Sequence, residues 1–284
     1  MELFSPHTFI GCDKTYEESE VVLFGAPFDG TVSYRPGSRF APMRIRPDSY
    51  GLETYSPYLN ADLEEKNIHD AGDLDLPFGD VSRAHDMIES FTDQVCSQQK
   101  KPFMIGGEHS VSLPAIRACY KHHPDMYLIH FDAHTDLRED YMGVKLSHAS
   151  VIKHAWKFLG DQRIYQFGIR SGLKEEFEWA AEGHTHLCKY NTDTLKEAIQ
   201  TIGDRPVYIT IDLDVLDPSV MPGTGTPEAG GLTFKELHQS IIDMKNLNII
   251  GADVVELAPD YDPSGVSTAV ASKVIREVML ITAN

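Results

Sequence analysis

Short apolar runs alternate along this chain with longer stretches whose apolar residues have helical spacing. Most of the apolar runs are continuous instead of alternating with polar residues, which is typical of strands buried on both faces of a parallel sheet. The pattern predicts strands at 21–24, 103–105, 127–131, 164–167, 207–211 and 249–255.

Three stretches between the apolar runs predict helices. The apolar residues of the first share one helical face, with charges on the other: Ala84, Met87, Ile88, Phe91 and Val95. A capping-box pattern from Thr233 to Glu236 predicts the start of a second helix. Residues 268–281 are apolar nearly all round and predict a buried helix. Strands alternating with helices predict the α/β class, with a parallel β-sheet flanked by helices.

Acidic and imidazole side chains cluster directly after three of the predicted strands. These clusters are GGEHS at 106–110, DAHTD at 132–136 and DLD at 212–214. Ligands of open α/β sheets bind beyond the carboxyl ends of strands, so we expect the clusters to converge. Such a gathering of acids and imidazoles would be strongly repulsive and poorly hydrated without a cation. We therefore expect a site for two metal ions.

The donor types in these clusters favour manganese. Carboxylate oxygens suit hard divalent ions, and the imidazoles add a preference for transition metals, so Mn²⁺ fits better than Zn²⁺ or Cu²⁺. Two neighbouring cations can lower the pKa of a shared water toward neutrality, which predicts that the site activates water as a nucleophile. Taken singly, each aspartate could be a turn or helix-capping residue. Segment 212–214 alone fits capping or calcium binding as well as it fits catalysis. The prediction rests on the conjunction of the three clusters.

Length and charge narrow the class of protein. The chain of 284 residues has no repeat or linker, so we expect a single domain over 1–284. Its net charge of −18 argues against nucleic-acid binding, which needs a surplus of lysine and arginine. The charge is compatible with a cationic ligand, although many cytosolic proteins are acidic simply for solubility.

The sequence predicts a cytoplasmic protein without a membrane partner. The segment from Met1 to Pro6 has neither the basic nor the apolar region of a signal peptide. No apolar run approaches the length of a membrane span. The four cysteines form no CxxC pair, which fits thiols in a reducing compartment better than a disulfide framework.

Several of these motifs together resemble those of a known family. GGEHS, FDAHTDL and ITIDLDVLDP, followed by MPGTGTPEAGGLT, are similar to motifs of the ureohydrolase (arginase–agmatinase) family. Residues 35–46 add to the resemblance, with Ala41 where the family usually has glycine. The resemblance implies an arginase-like three-layer fold, assembly as homotrimers or homohexamers, and hydrolysis of a guanidino substrate to urea at a site with two Mn²⁺ ions.

The resemblance also implies a ligand set. One Mn²⁺ would be held by His109, Asp132, Asp136 and Asp212. The other would be held by Asp132, His134, Asp212 and Asp214. Asp132 and Asp212 would therefore bridge the two ions.

Further residues match family positions next to the metals. His148 matches a proton-shuttling histidine, and Glu256 matches an acid that binds the guanidinium, a planar fork that pairs with a carboxylate. Asp214 would hydrogen-bond the attacking hydroxide, and Thr226 lies in a loop that lines the pocket. As alternatives, His148 could be a structural residue at a helix start, and Glu256 could pair with a local arginine.

The choice of guanidine depends on two loops. Segment 137–147 lacks the Asn and Ser pattern with which family arginases recognise the amino-acid head of their substrate. Segment 224–231 is more like agmatinases than arginases, which usually lack an acid at the position of Glu228. We therefore expect hydrolysis of agmatine to putrescine and urea, a step of polyamine biosynthesis.

Other functions stay open. Guanidinobutyrase, arginase and formimidoylglutamase activities are alternatives within the family, and a non-catalytic metal-binding protein of the same fold is an alternative outside it. A zinc deacetylase fits poorly because it uses fewer metal ligands than the paired carboxylates of DAHTD and DLD provide. A two-metal phosphoesterase lacks its expected phosphate-binding loop and basic cluster here.

Overall fold

An eight-stranded parallel sheet forms the centre of the protein in the computed structural model, which describes residues 8–284. The strands are β1 (Val21–Ala26), β2 (Tyr55–Ser56), β3 (Ala61–Asp62), β4 (Ile68–Asp73), β5 (Lys101–Gly106), β6 (Tyr127–Phe131), β7 (Ile164–Ile169), β8 (His186–Lys189), β9 (Pro206–Asp212) and β10 (Asn248–Val255). Their order in the sheet is β4-β1-β5-β10-β9-β6-β7-β8, and β2 and β3 form a separate antiparallel pair.

Helices cover both faces of this sheet. They are α1 (Ala41–Ser49), α2 (Val81–Ser97), α3 (Ser112–His122), α4 (Val151–Leu159), α5 (Lys174–Trp179), α6 (Leu195–Ile202), α7 (Phe234–Asp243) and α8 (Val266–Thr282). Neighbouring strand residues point to opposite faces, so Leu23 packs in the core beneath α1, α6, α7 and α8, and Phe24 packs in the core beneath α2, α3 and α4. The predicted three-layer α/β class is confirmed.

The six predicted strands and three predicted helices are all present. The capping box forms as expected, because Thr233 Oγ1 accepts from the Glu236 amide and Glu236 Oε2 accepts from the Thr233 amide at 2.7 Å. Helix α8 is buried along most of its length. The prediction about Met1–Pro6 lies outside the described residues. No helix within 8–284 is long and apolar enough to cross a membrane.

Four adjacent central strands supply the candidate site. Strands β5, β10, β9 and β6 are neighbours, so the residues after their carboxyl ends share one edge of the sheet. Gly107 allows the loop after β5 to lie against the loop after β1, since a Cβ at Gly107 would fall 1.9 Å from the carbonyl oxygen of Phe28. This close approach brings the segment after β1 to the same edge.

Candidate metal centre and active site

The structure brings all six sequence-predicted metal ligands together at this edge. His109 lies just after β5, three ligands follow β6, and two lie at the end of β9. The sixth ligand, His134, is partly exposed. The other five are buried: His109, Asp132, Asp136, Asp212 and Asp214. The convergence expected from the strand ends is therefore what the fold produces.

One ligand group surrounds His109. Its Nδ1 lies close to Oδ2 of three carboxylates: Asp132 at 3.0 Å, Asp136 at 3.3 Å and Asp212 at 3.3 Å. Its Nε2 faces Thr210 Oγ1 at 2.9 Å, and that hydroxyl donates its proton to Asp253 Oδ1 at 2.6 Å. Nε2 must therefore be the donor, which leaves the Nδ1 lone pair of a neutral ring directed at the carboxylates. A cation at that point would relieve the repulsion.

A second ligand group surrounds His134. Its Nδ1 lies 3.1 Å from Asp214 Oδ2 and 3.3 Å from Asp132 Oδ1. Asp132 thus presents Oδ2 to His109 and Oδ1 to His134. It belongs to two groups of potential metal ligands, and within each group the ligand atoms lie within 4.8 Å of one another. Asp212 directs Oδ2 toward His109, while its Oδ1 accepts from the Asp214 amide at 2.9 Å. This arrangement suits two neighbouring cations with Asp132 between them.

The electrostatics of the cluster also fit a metal site. Burial raises the pKa of Asp136 to about 7, and the nearby Asp132 charge adds to this rise. Burial, followed by the charges of Asp214 and Asp132, raises the pKa of Asp212 well above its usual value. Burial opposes ionisation of Asp132 as well, but the imidazoles around it, His109 first, hold its pKa well below its usual value. Divalent cations would stabilise the ionised form of every one of these acids.

His130 is a site residue that the sequence reasoning missed. It lies within β6, and its Nε2 is 2.8 Å from Asp132 Oδ2. Gln166 accepts from Thr185 through Oε1, so its amide nitrogen donates to Thr135 O at 2.9 Å and to His130 Nδ1 at 3.1 Å. Nε2 of His130 is therefore the donor to Asp132, which makes this histidine a support for a ligand. Its signal in the sequence is the two-residue spacing from Asp132, which places both on one strand face.

Arg170 is a second missed residue. Its guanidinium donates to the carbonyl oxygens of Asp214 at 2.6 Å, Val215 at 3.2 Å and Glu228 at 2.7 Å. It thereby ties the end of β9 to the loop that carries Thr226. Thr226 Oγ1 in turn lies 3.3 Å from Asp214 Oδ2. The predicted position of Thr226 beside the ligands agrees with this geometry.

Glu256 follows β10 and points into the same cluster. Its Oε1 accepts from the His109 amide at 2.8 Å, so its partner is a backbone group beside the ligands rather than an arginine. Burial, followed by the charge of Glu108, raises the pKa of the Glu256 carboxyl well above its usual value. Glu256 and Asp136 have φ values of +67° and +52°. Non-glycine residues with this backbone strain concentrate at functional sites.

His148 combines both interpretations of its sequence position. It is the first residue of the short 3₁₀ helix His148–Ser150, and it also lines the cavity above the cluster. Its amide donates to Thr31 Oγ1 at 3.1 Å, and its Nδ1 lies 3.3 Å from the same oxygen. Burial lowers the pKa of the imidazole to about 4, and the nearby His134 adds to this decrease.

A cavity of about 270 Å³ opens onto these groups. Four of the six ligands line it together with Glu256 and Thr226 and form what we call its floor: His109, His134, Asp136 and Asp212. His148 forms part of its wall. Tyr141 and Arg138, from the 137–147 loop, also line the cavity, with the Arg138 guanidinium 4.5 Å from the Tyr141 ring centre. The loop that the sequence suggested for substrate choice therefore does border the cavity.

The chain is similar to known proteins over nearly its full length. The Arginase family model matches residues 19–281. The agmatinase of Bacillus subtilis (strain 168) is 52% identical over 282 residues, which cover 98% of this chain and 97% of that protein. A Clostridium difficile crystal structure, provisionally assigned as an agmatinase, is 51% identical, with a TM-score of 0.93 over 95% of this chain and 99% of that one. The agmatine ureohydrolase of Thermoplasma volcanium is 36% identical, with a TM-score of 0.90 over 99% of this chain and 95% of that one.

Proposed function

Since this chain belongs to the arginase family and is an amidinohydrolase, we propose that it hydrolyses agmatine to putrescine and urea. The observation that carries the proposal is the convergence of the ligand cluster and Glu256 on one cavity, in a chain 52% identical to an agmatinase over nearly its whole length. The reaction consumes one water, and both nitrogen-bearing products derive from agmatine.

We propose that the cluster holds a pair of Mn²⁺ ions. His109 and Asp136 would serve one ion, His134 and Asp214 the other, and the two carboxylates that end neighbouring strands, Asp132 and Asp212, would bridge them. The pair, when bound, lowers the pKa of a water molecule so that a nucleophile is available near neutral pH. The lone pair of His109 Nδ1, directed at three carboxylates, supports a cation at this place.

The remaining residues bind the substrate and move protons. Glu256 is placed to pair with the guanidinium, because its carboxylate is buried and lies on the cavity floor. Asp214, hydrogen-bonded by Thr226, is placed to orient the attacking water. When the bond between the guanidinium carbon and the alkyl nitrogen breaks, the leaving amine needs a proton. His148 lines the cavity, and we assign it to take up a proton released by the attacking water and to deliver that proton to the amine.

Three broader features belong to the same proposal. We propose that residues 1–284 act as a single domain, that the protein works in the cytoplasm, and that it assembles as a homotrimer or homohexamer. Identity of about half over nearly the full length with an agmatinase supports the domain assignment. Sedimentation analysis of the purified protein would test the assembly.

A urea-release assay in the presence of Mn²⁺ tests the substrate assignment. Agmatine, arginine, guanidinobutyrate and formimidoylglutamate would be compared at equal concentration, with formamide release followed for the last of these. We expect agmatine to give the highest kcat/KM, with putrescine formed in equal amount to urea. A higher kcat/KM for another substrate would contradict the assignment, and turnover of none would favour a metal-binding protein without activity.

A further inference from the structure

Thr31 connects a buried acid and a partly buried histidine that lie far apart in the sequence. Its amide donates to Glu108 Oε2 at 2.7 Å, and its hydroxyl lies 2.6 Å from Glu108 Oε1. Ser110 donates a further hydrogen bond to the same carboxylate. On its other side, the Thr31 hydroxyl meets the amide and Nδ1 of His148. Thr31 therefore lies between a buried acid and the histidine on the cavity wall.

The donor count fixes the direction of each hydrogen bond. A hydroxyl has one proton and two lone pairs. The Thr31 proton goes to Glu108 Oε1, because this oxygen is nearer, at 2.6 Å, than His148 Nδ1 at 3.3 Å and belongs to a carboxylate that also accepts from the Thr31 amide and from Ser110. The two lone pairs then accept from the amide of His148 and from its Nδ1, which must carry the proton. In the neutral ring, Nε2 is consequently the unprotonated nitrogen.

Nε2, the other ring nitrogen, contacts Ser33. It lies 3.5 Å from Ser33 Oγ, and both residues line the cavity. With Nδ1 held by Thr31, a proton can enter and leave the imidazole only at Nε2. The opposite tautomer would place the lone pair against Thr31 and a fixed proton toward the substrate.

We propose that Thr31 is a positioning residue that holds His148 in its Nδ1–H tautomer and so directs proton transfer through Nε2. This inference rests on the proposed function, because it gives His148 its role in that reaction. Thr31 does not touch the reacting atoms in this account. Its effect on turnover should therefore pass entirely through His148.

A double-mutant cycle tests this connection. The wild type would be compared with Thr31→Val, His148→Asn and the double variant, each loaded with Mn²⁺. The substrate would be the one of the four assay substrates above that the wild type turns over fastest. We expect Thr31→Val to lower kcat about tenfold or more with KM little changed, since positioned proton transfer contributes about 10²–10⁴-fold. In the His148→Asn background, the same change should lower kcat no further. Thr31→Ser should restore most of the lost kcat, because it keeps the hydroxyl.

Two further variants keep the cycle interpretable. Thr92→Val makes the same change at a buried threonine of α2 whose hydroxyl has no partner among the described residues, and it should keep wild-type kcat. Thr31→Ala replaces Thr31→Val in the cycle if the valine variant does not fold. Equal losses in both backgrounds, an unchanged kcat in Thr31→Val, or a rise in KM alone would overturn the inference. Absence of turnover by the wild type on every substrate would overturn the proposed function together with it.

Discussion

Oδ2 of Asp132 lies 3.0 Å from Nδ1 of His109, a nitrogen that holds a lone pair when the ring is neutral. Two electron-rich atoms at this separation need a proton or a cation between them. Asp132 has the same kind of contact with His134 through its other oxygen. One carboxylate therefore joins both ligand groups.

Removal of this shared carboxylate should abolish binding of both ions. In Asp132→Ala, we expect metal content near zero and urea release lower by about three orders of magnitude or more, because metal-ion catalysis contributes several kcal/mol. Metal analysis and the urea assay would measure both effects. Asp93→Ala, which changes a partly exposed aspartate paired with His122, should leave both unchanged. Full metal content and turnover in Asp132→Ala would remove Asp132 from the site.

His130 should affect metal affinity without being a ligand. Its Nε2 donates to Asp132, and loss of such a support typically weakens metal binding about 10–100-fold. We expect His130→Asn to need correspondingly more Mn²⁺ for half-maximal activity, with kcat near the wild-type value at saturation. A Mn²⁺ titration of activity would show this shift. Inactivity at every Mn²⁺ concentration, in a folded variant, would instead indicate a direct ligand.

The charge of Glu256 should matter more than its shape. Glu256→Gln keeps an oxygen for the His109 amide but cannot form a charge-assisted pair with a guanidinium. We expect kcat/KM for agmatine to fall about a hundredfold, since hydrogen bonds between charged groups contribute about 1.5–3 kcal/mol each. Steady-state kinetics and metal analysis would test this, with Glu182→Gln on the surface as the matched control. A wild-type kcat/KM would exclude Glu256 from guanidinium binding.

Much of this site could be predicted because its ligands follow continuous apolar strands. The central strands are buried on both faces, so their sequences are apolar throughout, and the acids after them are easily recognised. The outer strands β4 and β8 were missed because they are polar: β4 contains Asp70 and Asp73, and β8 begins with a histidine. Strand order then decides which strand ends meet, and sequence alone does not provide it.

The roles of the supporting residues could not be predicted, because these roles depend on contacts between distant segments. Thr31 is 77 positions from Glu108 and 117 positions from His148. In the sequence, His130 looks like any other residue of a buried strand. Its role follows from the hydrogen bond with Gln166, which fixes its tautomer. Such hydrogen bonds appear only once the fold is known.

His85 should give the protein a measurable loss of stability in acid. This α2 residue is 1% exposed, and neither ring nitrogen has a hydrogen-bond partner among the described residues. Burial lowers the pKa of the imidazole from 6.5 to about 4, and the Arg117 charge adds to this decrease. Between these two values the unfolded chain binds a proton that the folded chain does not. The free energy of unfolding should therefore fall as the pH falls through this window, by up to about 3 kcal/mol from His85.

Urea unfolding of the wild type and of His85→Leu would test this effect between about pH 7 and pH 4. Titration of the metal-site acids is common to both proteins, so the difference between the two curves isolates His85. We expect the variant to lose less stability than the wild type over this range. Parallel curves would show that folded His85 binds its proton as readily as the unfolded chain does.

The most direct test of the paired-cation site is anomalous diffraction at the manganese edge from crystals grown with Mn²⁺. We expect two peaks on the cavity floor, one beside His109 and Asp136 and the other beside His134 and Asp214, with Asp132 between them. A single peak, or carboxylates spread apart with no peak among them, would contradict the account.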